Sequence, residues 1–140
     1  MRQVLHGGLV MLNLGIDVGA HSTKVVGRTG AQAFPSAVAT YRASNNGDLS
    51  RVLLPLAFAF SCGGRRGDYF MGELGAVHGH GVSTVSNDTR TGGNETVALY
   101  LAAVAAYAPH EPTLEANIVA GLPARLAAIP ERCAALRENV

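Results

Sequence analysis

Apolar and polar residues alternate along the opening of this chain. Leu12, Leu14, Ile16 and Val18 are apolar, and Asn13, Gly15 and Asp17 lie between them. A period of two puts alternate side chains on opposite faces of a strand, so Leu12 to Val18 predicts a strand with one buried face. Gly19 to Ser22 reads as a turn. Thr23 to Arg28, rich in β-branched residues, reads as the antiparallel return strand. Thr29-Gly30 permits a second tight turn, and Ala31 to Phe34 a third strand. Pro35 ends it, because proline has no N–H to give to a ladder. The opening is therefore a three-strand antiparallel meander.

The middle of the chain is less regular. Ser44 to Asp48 (Ser-Asn-Asn-Gly-Asp) has the chemistry of a polar turn. Val52 to Phe60 is apolar, but Pro55 argues against a central strand. Cys62 to Gly67 reads as a loop, Asp68 to Met71 as a short strand, and the glycine- and serine-rich His78 to Asn87 as irregular. Periodicity then changes. Thr91 or Asn94 can cap a helix, Glu95 suits the positive end of its dipole, and Val97 to Tyr107 is apolar nearly all round. Such a helix packs closely on a sheet. It stops before Pro109. Glu115 to Ala120 predicts a strand, Gly121-Leu122-Pro123 a turn, and Ile129 to Asn139 a last helix with Pro130 in its first turn. A meander followed by helix, strand and helix gives an α/β domain with a mixed sheet, since a helical crossover returns the chain parallel.

Bulk composition narrows the classes. The chain has 140 residues, of which 48% are hydrophobic and 15% charged, enough for one domain with a real core. The net charge of +1 gives no electrostatic case for direct binding to nucleic acid or to a membrane surface. Tryptophan is absent, which removes the best base-stacking platform. Cys62 and Cys133 stand in no motif, so a reduced, cytoplasmic protein is expected. Polar residues interrupt Val4 to Val18 and no cleavage site follows, which argues against a signal peptide, and no apolar run has the length of a membrane helix. Met1 to Val10 carries no pattern of its own. Residues 1–10 are expected to be a non-native or disordered leader, with 11–140 as the domain.

The chemistry gathers at the first turn. Phosphate binding wants inward-pointing backbone N–H groups, a glycine for close approach and a cation. Gly19 supplies the approach and Lys24 the cation. Asp17 suits a magnesium ion held through water, because magnesium keeps much of its hydration shell. The plain alternative is an ordinary hairpin in which Asp17 and Gly19 are turn residues. The loop is not a Walker A, which needs Gly-Lys-Ser/Thr opening a helix, and a following strand excludes a Rossmann fingerprint.

Asp17-x-Gly19-x-x-x-Thr23-Lys24 after an apolar strand resembles the first phosphate motif of the actin-like ATPases, the superfamily of actin, heat-shock chaperones and sugar kinases. Three further segments are similar to its plasmid-segregation branch, the ParM/StbA-like proteins: Phe34-Pro35-Ser36, Tyr69-Phe70-Met71-Gly72-Glu73-x-x-Ala76, and Ile118-Val119-Ala120-Gly121-Leu122-Pro123. The resemblance implies an actin-like, ribonuclease H-like domain, of which this chain covers the N-terminal half. It implies ATP and Mg2+ as cofactors, held by Asp17, Gly19, Ala20, His21, Ser22, Thr23 and Lys24, with Asp17 reaching the magnesium through water. It also implies self-association into filaments that separate plasmid copies, with a DNA-bound adaptor as partner. Two positions depart from the family. Ala20 stands where actin has a serine that touches phosphate, and His21 where glycine is common, a place that would ask histidine for a left-handed conformation.

The family's second phosphate loop, water-positioning residue and adenosine pocket have no counterpart in this chain, so negligible ATP hydrolysis is expected from it alone. Two other readings remain open at this point. One is a fragment of a sugar or other small-molecule kinase of the same superfamily. The other is a truncated, non-catalytic domain, suggested by a last helix without a glycine cap. The remaining candidates have plainer explanations. His78 and His80 lack a third metal ligand. Cys62 beside Arg65 and Arg66 has the setting of an activated thiol but also of a surface loop. Glu73 either faces the cleft or ends a strand.

Overall fold

The computed structural model describes residues 3–5, 9–40, 57–62, 65–71, 80–84, 93–111, 113–122 and 124–139. Its first sheet is built on β2, Leu9–Val18. β3, Ser22–Gly27, returns antiparallel to it, and β4, Gly30–Pro35, returns antiparallel to β3. The expected meander is present. Arg28 and Thr29 make the second turn, closed by the Gly27–Gly30 pair. Gly30 has φ of +155°, a backbone angle that a side chain disfavours.

A helix and a crossover complete this sheet. α1, Asn94–Tyr107, leads to β9, Leu114–Ala120, which lies parallel to β2 from Val10–Leu114 to Ile16–Ala120. The sheet is mixed, as the order of elements predicts. Its other lower edge is closed by β1, Gln3–Leu5, antiparallel to Leu9–Met11. A disordered leader therefore does not describe Gln3–Leu5 or Leu9–Val10. Both segments are rich in Leu and Val and pair with each other, a register that the glycines between them hide from a simple pattern.

α1 lies on one face of the first sheet. Leu14, Ile16 and Val18 of β2 and Val25 of β3 are buried with Val97, Ala98, Leu99, Tyr100, Ala102 and Ala103 of the helix. The alanines let the helix backbone approach the sheet, and tight packing of this kind is what a nearly all-apolar helix requires. The helix begins after Gly93, whose backbone is extended and which gives no side-chain cap. Asn94 is thus inside the helix, and Thr91 lies outside the described residues. Two helices follow β9: α2, Ala124–Ala127, and α3, Pro130–Asn139, with Pro130 in the first turn as expected. Leu136 of α3 joins the core.

At Ser36 the chain passes into a second sheet. It comprises β5 (Ala37–Thr40), β6 (Ala57–Cys62), β7 (Arg65–Met71) and β8 (His80–Thr84), ordered β6-β7-β5-β8 and antiparallel throughout. Two sequence expectations are corrected here. Cys62, Arg65, Arg66 and Gly67 belong to a hairpin ladder rather than a loop, with Cys62 opposite Arg65. His80–Thr84 is a strand on β5 rather than irregular, because sheet pairing overrides weak local propensity. The polar segment Ser44 to Asp48 lies outside the described residues.

Candidate functional site

β2 carries Asp17 to its upper end, next to Val18, where the alternation turns the carboxylate away from the core. Asp17 is exposed while Ile16 and Val18 on either side are buried. Across the hairpin Asp17 is paired with Lys24, also exposed. Cross-strand partners on one face lie side by side. The register thus places the Asp17 and Lys24 side chains next to one another on the open face, beside the first turn.

The turn is closed by the Gly19 N–H, which donates to the Ser22 carbonyl at 3.0 Å. A Cβ on Gly19 would stand 2.8 Å from that same oxygen, so the closure needs glycine. Among the described residues the Ala20 and His21 N–H groups donate to no backbone acceptor. His21 is exposed, and no described residue other than glycine has a positive φ. Histidine therefore sits in the turn without the left-handed conformation that a glycine position suggests. Ala20 and Ser22 are half-buried.

Thr23 is the site residue that the structure relocates. It is fully buried, and its hydroxyl is 2.9 Å from the Ser36 hydroxyl. Its side chain faces the core with Val25, since strand period puts it on the opposite face from Lys24. It supports the turn from behind and does not present its hydroxyl to a ligand.

Two contributors were not singled out by sequence. Gly121, just after β9, donates its N–H to the Ile16 carbonyl at 3.3 Å. This sets the loop beside Asp17: a Cβ on Gly121 would lie 3.5 Å from Asp17 Oδ1. The second is Tyr100 of α1, buried under the sheet. Burial pushes its phenol up to about 12, and the negative charge of Asp17 adds to the effect. A phenol at the centre of Val97 to Val104, where every other residue is small or aliphatic, was the available signal. Below Asp17 and Lys24 the same open face carries Gly15, Val26 and Val119. These residues and Gly121 line a shallow cavity of about 600 Å³.

The other sequence candidates do not converge on this turn. Glu73 and His78 lie outside the described residues, and His80, Cys62, Arg65 and Arg66 stand in the second sheet. No group of three or more potential metal ligands occurs among the described residues. None of the described helices is long and apolar enough to cross a membrane.

The stretch that holds this hairpin, most of the mixed sheet and the helix is matched by a known family. The family profile described as "Actin like proteins N terminal domain" covers residues 15–139. The chain belongs to the actin-like proteins. Solved structures agree on the fold of this actin-like domain. A ParM filament from Clostridium botulinum matches with a TM-score of 0.67 at 19% identity, over 91% of this chain and 38% of that one. The pCBH ParM non-polymerisable quadruple mutant matches with a TM-score of 0.64 at 22% identity, over 91% and 37%. A Bacillus thuringiensis ParM with AMPPNP matches with a TM-score of 0.59 at 16% identity, over 87% and 37%. The actin-like domain is thus ParM-type in fold and spans well under half the length of these matched structures. A search of curated proteins finds no match to its sequence.

Proposed function

We propose that this actin-like domain forms one wall of a magnesium–ATP site in a filament-forming protein of the plasmid-segregation type. The observation that carries the reading is the exposed Asp17–Lys24 pair at the mouth of a turn closed by Gly19. The residues fit the ligand. A triphosphate is a polyanion with hard oxygen atoms, and Lys24 supplies a point charge for it. The Ala20 and His21 amides, which donate to no backbone acceptor, supply directed donors in this reading, as phosphate-binding turns do. Asp17 is an oxygen donor suited to magnesium that keeps its waters. When bound, magnesium neutralises charge on the phosphates, and the triphosphate provides the transferable phosphoryl group.

This chain's own residues bind and orient; they do not activate a water. Thr23 stiffens the turn from the core side, and Gly121 keeps the rim beside Asp17 low. A ParM from Bacillus thuringiensis was solved with AMPPNP, a nucleoside triphosphate analogue, and one from Clostridium botulinum as a filament, which supports the nucleotide and the self-association. In the same reading the filament works in the cytoplasm and engages DNA through a bound adaptor rather than directly. In the same reading the rest of the nucleotide site is supplied by residues outside this chain.

Titration of the chain with Mg–ATP, followed through its backbone amide signals, tests the reading. Shifts confined to residues 19–24 are expected, with loss of the magnesium dependence in Asp17→Ala. In Lys24→Ala the affinity falls by roughly tenfold, the order of one charge-assisted contact. A titration that leaves the turn unmoved overturns the site. Steady ATP turnover by the purified chain, abolished by Asp17→Ala, would show that the wall is a complete catalytic centre instead.

A further inference from the structure

Ser36 occupies the single-residue passage between β4 and β5, where the chain leaves the first sheet for the second. It is 1% exposed, and it is bonded twice to the phosphate turn. Its N–H donates to the His21 carbonyl at 3.0 Å, and its hydroxyl pairs with the Thr23 hydroxyl at 2.9 Å. His21 and Thr23 flank Ser22, whose carbonyl closes the turn on Gly19. One residue therefore grips both sides of the acceptor that shapes the loop.

The grip is stiff. Pro35 fixes its own backbone φ immediately before Ser36, and Ala37 and Val38 immediately after are buried. The hydroxyl pair lies where water does not compete, so stretching it has no solvent compensation. Any rotation of β5 against the first sheet pulls on both bonds and hence on His21 and Thr23.

We propose that Ser36 is a positioning residue: it holds the 19–22 turn in its phosphate-accepting shape and ties that shape to the orientation of β5 in the second sheet. The ligand half of this inference rests on the nucleotide reading above; the joint itself does not. Its consequence is directional. Phosphate bound at the turn stiffens β5, and displacement of β5 weakens phosphate binding.

Hydrogen exchange and Mg–ATP titration on Thr23→Val, Ser36→Ala, the double variant and Thr23→Ser test it. Each single hydroxyl deletion leaves a buried partner unpaired and lowers the melting temperature, whereas the double variant recovers most of that loss. Stability and positioning then separate. In the double variant the amides of Gly19 and residue 36 are expected to exchange roughly tenfold faster relative to core amides of β2, a local opening. Mg–ATP affinity falls by a similar factor. Thr23→Ser keeps the hydroxyl and loses a buried methyl, so it lowers stability but keeps wild-type exchange at Gly19. A double variant with wild-type exchange and affinity overturns the proposal and reduces the pair to core packing. If the wild-type turn ignores Mg–ATP, the nucleotide reading falls, and the exchange comparison alone decides the joint.

Discussion

The two faces of the first sheet are made by the same strands and share almost nothing else. On one, Leu14, Ile16, Val18 and Val25 are sealed beneath α1. On the other, residues one step along stand in the open: Asp17, Lys24, Val26 at 55% and Val119 at 77% exposure. A strand gives alternate residues to opposite faces, so a single alternation divides the work. The closed face sets the fold. The open face keeps its charges near the strand ends; between them it carries Gly15, Val26 and Val119 and then the hydrogen-bonded pair Asn13 and Asn117. Chemistry in this domain is thus a property of strand ends, held in place by packing on the far side.

The contrast is testable first by cutting into each face. Ile16→Ala is expected to cost about 2–5 kcal/mol, the range for emptying a well-packed core site. Val119→Thr on the open face should stay within about 0.5 kcal/mol. Chemical denaturation of the two variants measures both, and equal losses would break the distinction between the faces.

A smaller effect probes how closely α1 is seated. Gly27 packs against Tyr107, and a Cβ there would overlap the tyrosine ring and hydroxyl. That hydroxyl also accepts the Thr29 N–H at 2.9 Å and pairs with the Thr29 Oγ1 at 2.7 Å, pinning the end of α1 to the second turn. Gly27→Ala should therefore destabilise by about 1–3 kcal/mol, the usual cost of overpacking, although alanine suits a strand better than glycine does. A neutral result in thermal unfolding would mean that the helix end yields.

The smallest effect tests whether the faces communicate. Tyr100 is on the closed side and Asp17 on the open side, yet burial, then Asp17, raises the Tyr100 pKa from 10.0 to about 12. In the unfolded chain the phenol ionises first, so the fold is favoured in full below pH 10 and loses this contribution as the pH climbs towards 12. Tyr100→Phe should flatten alkaline unfolding across that window. Absorbance titration of the wild type should show a late-ionising phenol that Tyr100→Phe removes and that ionises somewhat earlier in Asp17→Asn. An ordinary value for every tyrosine would remove the link between the faces.

Much of this was legible because it is local. Alternation from Leu12 to Val18 gives the strand and its buried face together, and the glycine at position 19 marks the closure. Asp17 and Lys24 were each read as site residues from their place around the turn; that they sit opposite one another comes from the register of the hairpin. Thr23 was read as a ligand from its place in a motif, although the same period-two rule assigns it to the core. The hairpin of Cys62 and Arg65 and the strand from His80 to Thr84 were read as loops, because their regularity comes from partners distant in sequence. Gly121 was read as part of a turn and of a family-like segment, not as a neighbour of Asp17. Its position beside Asp17 depends on β9 pairing parallel to β2 after a long helical crossover.

By itself, then, the sequence determined the meander, the apolar helix, the crossover strand and the residues of the first turn. Each is encoded in neighbouring residues through periodicity, turn chemistry and charge. Tertiary structure decided that the buried Thr23 hydroxyl meets Ser36, how Ser36 grips the turn from behind, and which loop comes to stand beside Asp17. Those outcomes depend on contacts between segments far apart in the chain. They are set by the packing of one element on another, for which no local pattern exists.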